Sequence, residues 1–201
     1  MEAKKAIFLD KDGTLIPDIP YNADPEKITL SDYAVNGLSL LQDAGYELFV
    51  VTNQSGIAHG YFHHKDLWKV EKKLTNLLEA HGLKLSGFYY CPHDPKAKLS
   101  AYRTNCKCKK PKPGMLLNAA DDHNINLSQS WMIGDILNDV EAGNRAGCKT
   151  ILINNGNETE WKMNERRTPD LMTTTIDDAA SYILEMSVNK FDKADTFYIN
   201  E

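Results

Sequence analysis

A chain of 201 residues that is 42% hydrophobic and 25% charged can build one compact domain with a real core, and carries too much apolar side chain to be disordered. Its net charge of −5, from 23 Lys+Arg against 28 Asp+Glu, gives no overall positive field for nucleic acid or an anionic membrane, so an anionic ligand must be met by local cations. No apolar run approaches the ~20 residues of a bilayer span, and Ala6-Ile7-Phe8-Leu9 is too short for the centre of a secretory signal, so a cytoplasmic, monomeric protein with one domain over 1–201 is expected.

Ala6 to Leu9 reads as a strand covered on both faces, because four apolar residues run without alternation before Asp10 stops them. A helix over 34–44 follows, with Val35, Leu38 and Leu41 at helical spacing and Gly45 as its stop. Tyr46 to Thr52 is a second strand that runs into the Asn53-Gln54-Ser55-Gly56 turn. From His64 to His81, Leu67, Val70, Leu74 and Leu78 share one face of an amphipathic helix closed by Gly82. Phe88 to Tyr90 is a third strand, and the polar stretch from Pro92 to Pro113 shows no periodicity. Pro113 opens a helix to His123. Trp131 to Asp135 is a fourth strand, again ending in an acid. Asp139 to Ala146 is helical, Thr150 to Ile153 is a fifth strand, and 154–168 is a long polar connection. Asp177 to Met186 is the last helix, followed by a loosely held tail.

Strands alternating with helices predict an α/β fold, a Rossmann-like parallel sheet with helices on both faces. Ligands of such sheets bind at the carboxyl ends of the strands. Asp10, Thr52 and Asp135 all fall on that edge. Asp10-Lys11-Asp12-Gly13-Thr14 sets two carboxylates two residues apart, so that both project to one side just past a buried strand. Taken alone it is also a good polar turn, Asp-Gly being a turn dipeptide.

A carboxylate attacking a phosphomonoester dianion needs a cation between them, and a hard oxygen-only site suits Mg²⁺. Asp10 is placed to attack phosphorus and form an aspartyl-phosphate. Asp12 can protonate the leaving alkoxide and later deprotonate water. Asp135 would complete the metal site, and Thr52 with one lysine would hold the phosphoryl oxygens. In order and spacing, Asp10 to Thr14, Thr52, the pair Lys109 and Lys110, and Gly134-Asp135-Ile136-Leu137-Asn138-Asp139 resemble the four motifs of the haloacid dehalogenase superfamily of phosphohydrolases, over roughly residues 6 to 155. The resemblance implies Asp10 as nucleophile and metal ligand, and Asp12 as acid/base that also gives its backbone carbonyl to the metal. It maps the third-motif lysine onto Lys110, with Lys109 beside it as a substrate contact.

Cys91-Pro92-His93 followed by Cys106-Lys107-Cys108 supplies a Cys3His set, which saturates a tetrahedral structural zinc ion. Free thiols or a disulfide are the alternatives. A zinc staple over about 91–108 would position Lys109 and Lys110 directly after its last ligand, while Cys148 reads as a core thiol. Val51 to Ile57, Cys91 to His93 and Cys106 to Met115 are similar to the subfamily of D-glycero-D-manno-heptose 1,7-bisphosphate phosphatases, with zinc-bearing histidinol-phosphate phosphatases as near relatives. Both are cytoplasmic, magnesium-dependent and largely capless.

Short loops would then bind the rest of the substrate: Ile16 to Pro25, Asn53 to Phe62, and the zinc loop. Lys109, Arg103 or Lys112 would take the second phosphate of a bisphosphate. Two departures stand out, Ile136 where those enzymes carry lysine and His59 where they tend to carry arginine. Arg166 and Arg167 lie in an unusually long connection, as substrate contacts or solvated residues. A phosphatase for histidinol phosphate or another small phosphomonoester is the alternative function, and a zinc-stapled binding module the non-enzymatic one. The Lys107 to Lys112 run forms a local basic patch but has no interleaved aromatics, so no nucleic-acid partner is expected.

Overall fold

The computed structural model describes residues 3–195. The apolar runs become parallel strands β1 (Lys5–Leu9), β2 (Tyr46–Asn53), β3 (Leu85–Cys91), β4 (Trp131–Gly134), β5 (Lys149–Ile153) and β6 (Leu171–Thr173). They form one sheet in the order β3-β2-β1-β4-β5-β6, parallel throughout. The order reverses between β1 and β4, and that reversal opens a crevice beyond their carboxyl ends.

Helices α1 (Val35–Asp43), α2 (Gly56–His59), α3 (His64–Glu79), α4 (Gly114–His123), α5 (Leu137–Ala146) and α6 (Ile176–Asp195) complete the framework. Because successive strand residues face opposite ways, each central strand feeds two cores. Ile7, Leu9, Leu48, Val50 and Ile133 pack with Leu38, Leu41, Leu67, Leu74 and Ile183 of α1, α3 and α6. Ala6, Phe8, Phe49, Val51 and Met132 pack on the other face with Met115, Leu116 and Ala142 of α4 and α5. Helices therefore cover both faces, as the alternating pattern requires.

The differences from expectation lie at edges and ends. β3 starts at Leu85, three residues early, where Ser86 and Gly87 hide the apolar signal; a side chain on Gly87 would meet the Phe49 ring. α5 starts at Leu137 rather than Asp139. β6 has three residues on the sheet edge, too few to carry a pattern. α6 does not end at Met186 but continues to Asp195, since no glycine or proline interrupts it; the tail beyond lies outside the described residues.

α1 and α6 meet closely at Gly37, whose N–H donates to Asp177 Oδ1 at 2.7 Å. A Cβ there would come within 2.9 Å of Asp177 Cα and of the Ile176 carbonyl, both backbone atoms that cannot step aside. Gly37→Val should therefore cost about 1–3 kcal/mol of stability, read as a lower urea midpoint with an unchanged slope. An unchanged midpoint would show that the helices can part without loss.

Candidate active site

The crevice collects the acidic strand ends. Asp10 is the first residue past β1 and Asp135 the first past β4, while Thr52 is the last but one residue of β2. All three are buried, and with Asp12, Asp18, Asn53, Lys110, Ile136 and Asn157 they line a cavity of about 220 Å³. Lys110 comes to them from the loop between β3 and α4. Its Nζ lies 2.5 Å from Asp10 Oδ1 and donates to the Val51 carbonyl at 2.8 Å. It is also 2.7 Å from Asp139 Oδ1, off the direction of a good hydrogen bond, so that this fully buried oxygen is paired by charge alone.

Burial opposes the charge on Lys110, but Asp10 and Asp139 more than offset it and raise its pKa, so it stays an ammonium. The carboxyls pay for the crowding. Burial first, then the charges of Asp139 and Asp10, push Asp135 up to about 7. Burial, and secondarily Asp10, push Asp139 up to about 6 against the pull of Lys110. Asp12 is raised as well, by burial against the attraction of Lys11.

Four carboxylates against one ammonium is a poor site for a phosphate dianion by itself, and a divalent cation removes the conflict. The donors suit one: Asp10, Asp135 and Asp139 each offer a carboxylate oxygen, all within 4.8 Å of one another. Such hard oxygen donors fit Mg²⁺. Asp139 is a ligand the sequence reading leaves out; its place four residues after Asp135, in the opening turn of α5, is the signal that points to it. The Asp12 carboxylate points elsewhere. Its Oδ1 accepts from Lys11 Nζ at 2.6 Å and its Oδ2 from Gln54 Nε2 at 2.9 Å, leaving the backbone carbonyl as the group it could offer a metal.

The neighbouring side chains position the others. Asn53 brackets the Lys110 backbone, accepting its N–H at 3.0 Å and donating to its carbonyl at 3.1 Å. Asn157 Nδ2 donates to Asp135 Oδ2 at 2.7 Å, and Thr14 Oγ1 to Asp135 Oδ1 at 3.2 Å. Asn157 arrives on the long connection after β5, which is fixed by Asn155 Nδ2 donating to the Gly13 carbonyl and by Glu158 accepting the Leu137 N–H at the start of α5. Beside Asp135 the cavity has Ile136 and the neutral amide of Asn157. Arg167 neither faces this cavity nor floats in solvent: it donates to Glu141 and Asn138 and docks the connection on α5. A second cavity of about 320 Å³ shares Asp12, Asp18 and Asn53 with the first and extends past Tyr21, Gln54 and Phe62.

Cys91, His93, Cys106 and Cys108 converge with all four donor atoms within 4.8 Å. Their sulfurs stand 3.0–3.4 Å apart and His93 Nδ1 is 3.5–3.7 Å from two of them, which is too long for disulfides and suits tetrahedral zinc. Among the described residues the cysteines are unbridged. The staple changes the fate of the basic run. Lys109 pairs with Asp94 at 2.5 Å, Lys110 is buried, and Lys112 donates to Asn105 and the Cys106 carbonyl, so three of its four lysines are committed within the chain. Arg103 is likewise used on the Ala97 and Lys98 carbonyls.

A parallel sheet with its acidic cluster at the switch point and a lysine brought in from a separate loop defines a haloacid-dehalogenase-like hydrolase. Residues 107–179 match a HAD-hydrolase-like family model. D-glycero-beta-D-manno-heptose-1,7-bisphosphate 7-phosphatase of Haemophilus ducreyi is 39% identical over 182 residues, 90% of this chain and 98% of that protein. The Pasteurella multocida protein of the same name is 43% identical over 76% of this chain and 83% of its own. The chain belongs to the family of these relatives, within the haloacid dehalogenase superfamily. Its fold agrees with the crystal structure of D,D-heptose 1,7-bisphosphate phosphatase from B. bronchiseptica complexed with magnesium and phosphate, at TM-score 0.78 and 27% identity over 90% of this chain and 99% of that one. No helix among the described residues is long and apolar enough to cross a membrane.

Two outcomes follow from these clusters. Asp135 and Asp139 bind protons well above the unfolded carboxylate range, so without metal the fold loses stability as pH rises through about 4–7, and metal competes best above that window. The rise in melting temperature on adding Mg²⁺ should be several-fold larger at about pH 8 than at about pH 5; an equal rise at both would place the metal elsewhere. For the staple, metal analysis should find about one zinc per chain, lost in Cys106→Ser. Undiminished zinc in that variant would remove Cys106 from the ligand set.

Proposed function

We propose that the chain is a magnesium-dependent phosphatase that hydrolyses a small sugar phosphate through an aspartyl-phosphate, with D-glycero-D-manno-heptose 1,7-bisphosphate, cleaved at the 7-phosphate, as its substrate. The observation that carries the proposal is Asp10, held against the Lys110 ammonium at the sheet switch point in a cavity with surplus carboxylates. The relatives' names supply the sugar. In keeping with the sequence, the chain acts as one catalytic domain, monomeric and cytoplasmic.

Asp10 attacks phosphorus as the bond to the sugar oxygen breaks, and Asp12 gives that oxygen a proton. Asp12 then takes a proton from water, which displaces phosphate from Asp10. Lys110 and Thr52 hold the phosphoryl oxygens where negative charge develops. Asp10, Asp135, Asp139 and the Asp12 carbonyl would hold a magnesium ion, whose charge would offset the repulsion between nucleophile and phosphate. The raised pKa of Asp12, from burial, favours the protonated form the first step needs. Asn53 contributes by fixing the Lys110 backbone, and it also lines both cavities, where it can meet substrate.

For the second phosphate, Arg103 and Lys112 are already spent on the zinc loop. Lys109 pairs with Asp94 at 2.5 Å and His59 lies 3.8 Å from the same carboxylate, so a second phosphate would reach these two by competing with Asp94. Phosphate release should be measured with Mg²⁺ on both heptose 1,7-bisphosphate anomers, fructose 1,6-bisphosphate and histidinol phosphate. One heptose anomer should be preferred, and Asp10→Asn should lower turnover by about 10³-fold or more. Preference for histidinol phosphate would replace the substrate and keep the chemistry; turnover that survives Asp10→Asn would remove the nucleophile.

A further inference from the structure

Gln54 stands just past β2 and is 5% exposed, yet the phosphatase steps above do not use it. Its Nε2 carries two hydrogens, and both have acceptors at the same distance: Asp12 Oδ2 and Thr52 Oγ1, each 2.9 Å away. Its backbone N–H donates to the carbonyl of Cys91 at 2.8 Å, so the residue is tied to the first cysteine of the zinc cluster. The other oxygen of Asp12 is held by Lys11, whose fully buried ammonium lies 2.6 Å from Oδ1. A carboxyl held at both oxygens cannot rotate about its Cβ–Cγ bond.

The two holders differ in where they sit. Lys11 lines neither cavity, whereas Gln54 and Asp12 both line the 320 Å³ cavity that continues from the phosphoryl site. Oδ1 is therefore committed to the interior and Oδ2 is the oxygen on the open side. An N–H donor at Oδ2 uses one lone pair and leaves the other for a transferable proton. A Glu at this position could not do the same, having no donor and a charge that repels Asp12.

We infer that Gln54 is a positioning residue that presents Asp12 Oδ2 to the leaving-group oxygen, Oδ2 being the atom that hands over the proton. This rests on the phosphatase assignment. Acid catalysis is worth about 10²–10⁴ where the leaving group is a poor alkoxide and little where it is an acidic phenol. The function of Gln54 is thus legible in how its loss depends on the leaving group.

The experiment is a single-turnover, acid-quenched reaction of wild type, Gln54→Met and Gln54→Glu with Mg²⁺. p-Nitrophenyl phosphate and the heptose 1,7-bisphosphate are the two probes, and p-nitrophenol and sugar are the products counted. Methionine keeps the length of glutamine and removes both donors; glutamate keeps the shape and reverses the interaction. In both variants sugar release should slow at least about tenfold more than p-nitrophenol release. In an Asp12→Asn background, Gln54→Met should slow sugar release no further. An equal slowing of both probes would overturn the inference, because it would mean that Gln54 only supports Thr52 or the cavity. So would no slowing at all, or additive losses with Asp12→Asn. If wild type shows no Asp10-dependent release from either probe, the phosphatase assignment itself falls, and that result is distinct from the others.

Discussion

One buried ammonium governs the rest of the structure. Lys110 is 3% exposed, and a lysine so placed is tolerable only if it is paired and its hydrogens are used. Asp10 and Asp139 provide the charge, and the Val51 carbonyl takes a further hydrogen. The two carboxylates come from different segments, one just past β1 and one in the first turn of α5. The ion cluster thus ties together three parts of the chain at this edge. Removing either acid would leave a buried charge short of a partner, which costs far more than losing a surface pair.

The delivery of Lys110 explains why so much polar chain is organised around a small zinc cluster. Cys106 and Cys108 immediately precede the two lysines, and Asn53 grips the Lys110 backbone from the end of β2 on both its N–H and its carbonyl. Cys91, the last residue of β3, belongs to the same cluster and accepts the Gln54 N–H. A loop of this length with little core of its own would cost conformational entropy to order. Four ligands in one tetrahedron remove that freedom at the point where the lysine must be fixed.

The parts of this arrangement that depend on local pattern were legible in the sequence. Unalternated apolar runs located β1, β2, β4 and β5, and the acids that ended β1 and β4 pointed to the crevice. Cysteine and histidine at spacing two announced the cluster. What the sequence hid was long-range or neutral. Gln54 and Asn157 are amides, with no charge to draw notice, and become meaningful only when the fold brings them against Asp12 and Asp135, partners 42 and 22 residues away in the sequence. Asp139 was visible in its motif, but that it faces Lys110 depends on α5 beginning at Leu137, two residues before the expected start. The cations Arg103, Lys112 and Arg167 looked like ligand contacts because charge is all a sequence shows; their carbonyl and carboxylate partners are nearby in space and hold loops in place.

The distribution of charge beyond the phosphoryl site also constrains what can leave it. Asp12 and Asp18 sit at the seam shared by the two cavities, and the larger one is otherwise lined by Ile19, Pro20, Tyr21, Asn22, Asn53, Gln54, Ser55, Gly56 and Phe62. It has carboxylates at its entrance and no cation along its walls. A leaving group with an anion next to the cleaved bond would meet repulsion there, whereas hydroxyls would meet carboxylate, amide and hydroxyl partners. A sugar that carries its second phosphate at the far end satisfies both conditions: neutral, hydroxyl-rich carbon lies at the seam, and the second charge lies away from its carboxylates. A 1,7-bisphosphate of a seven-carbon sugar has that form, and a short phosphorylated acid does not.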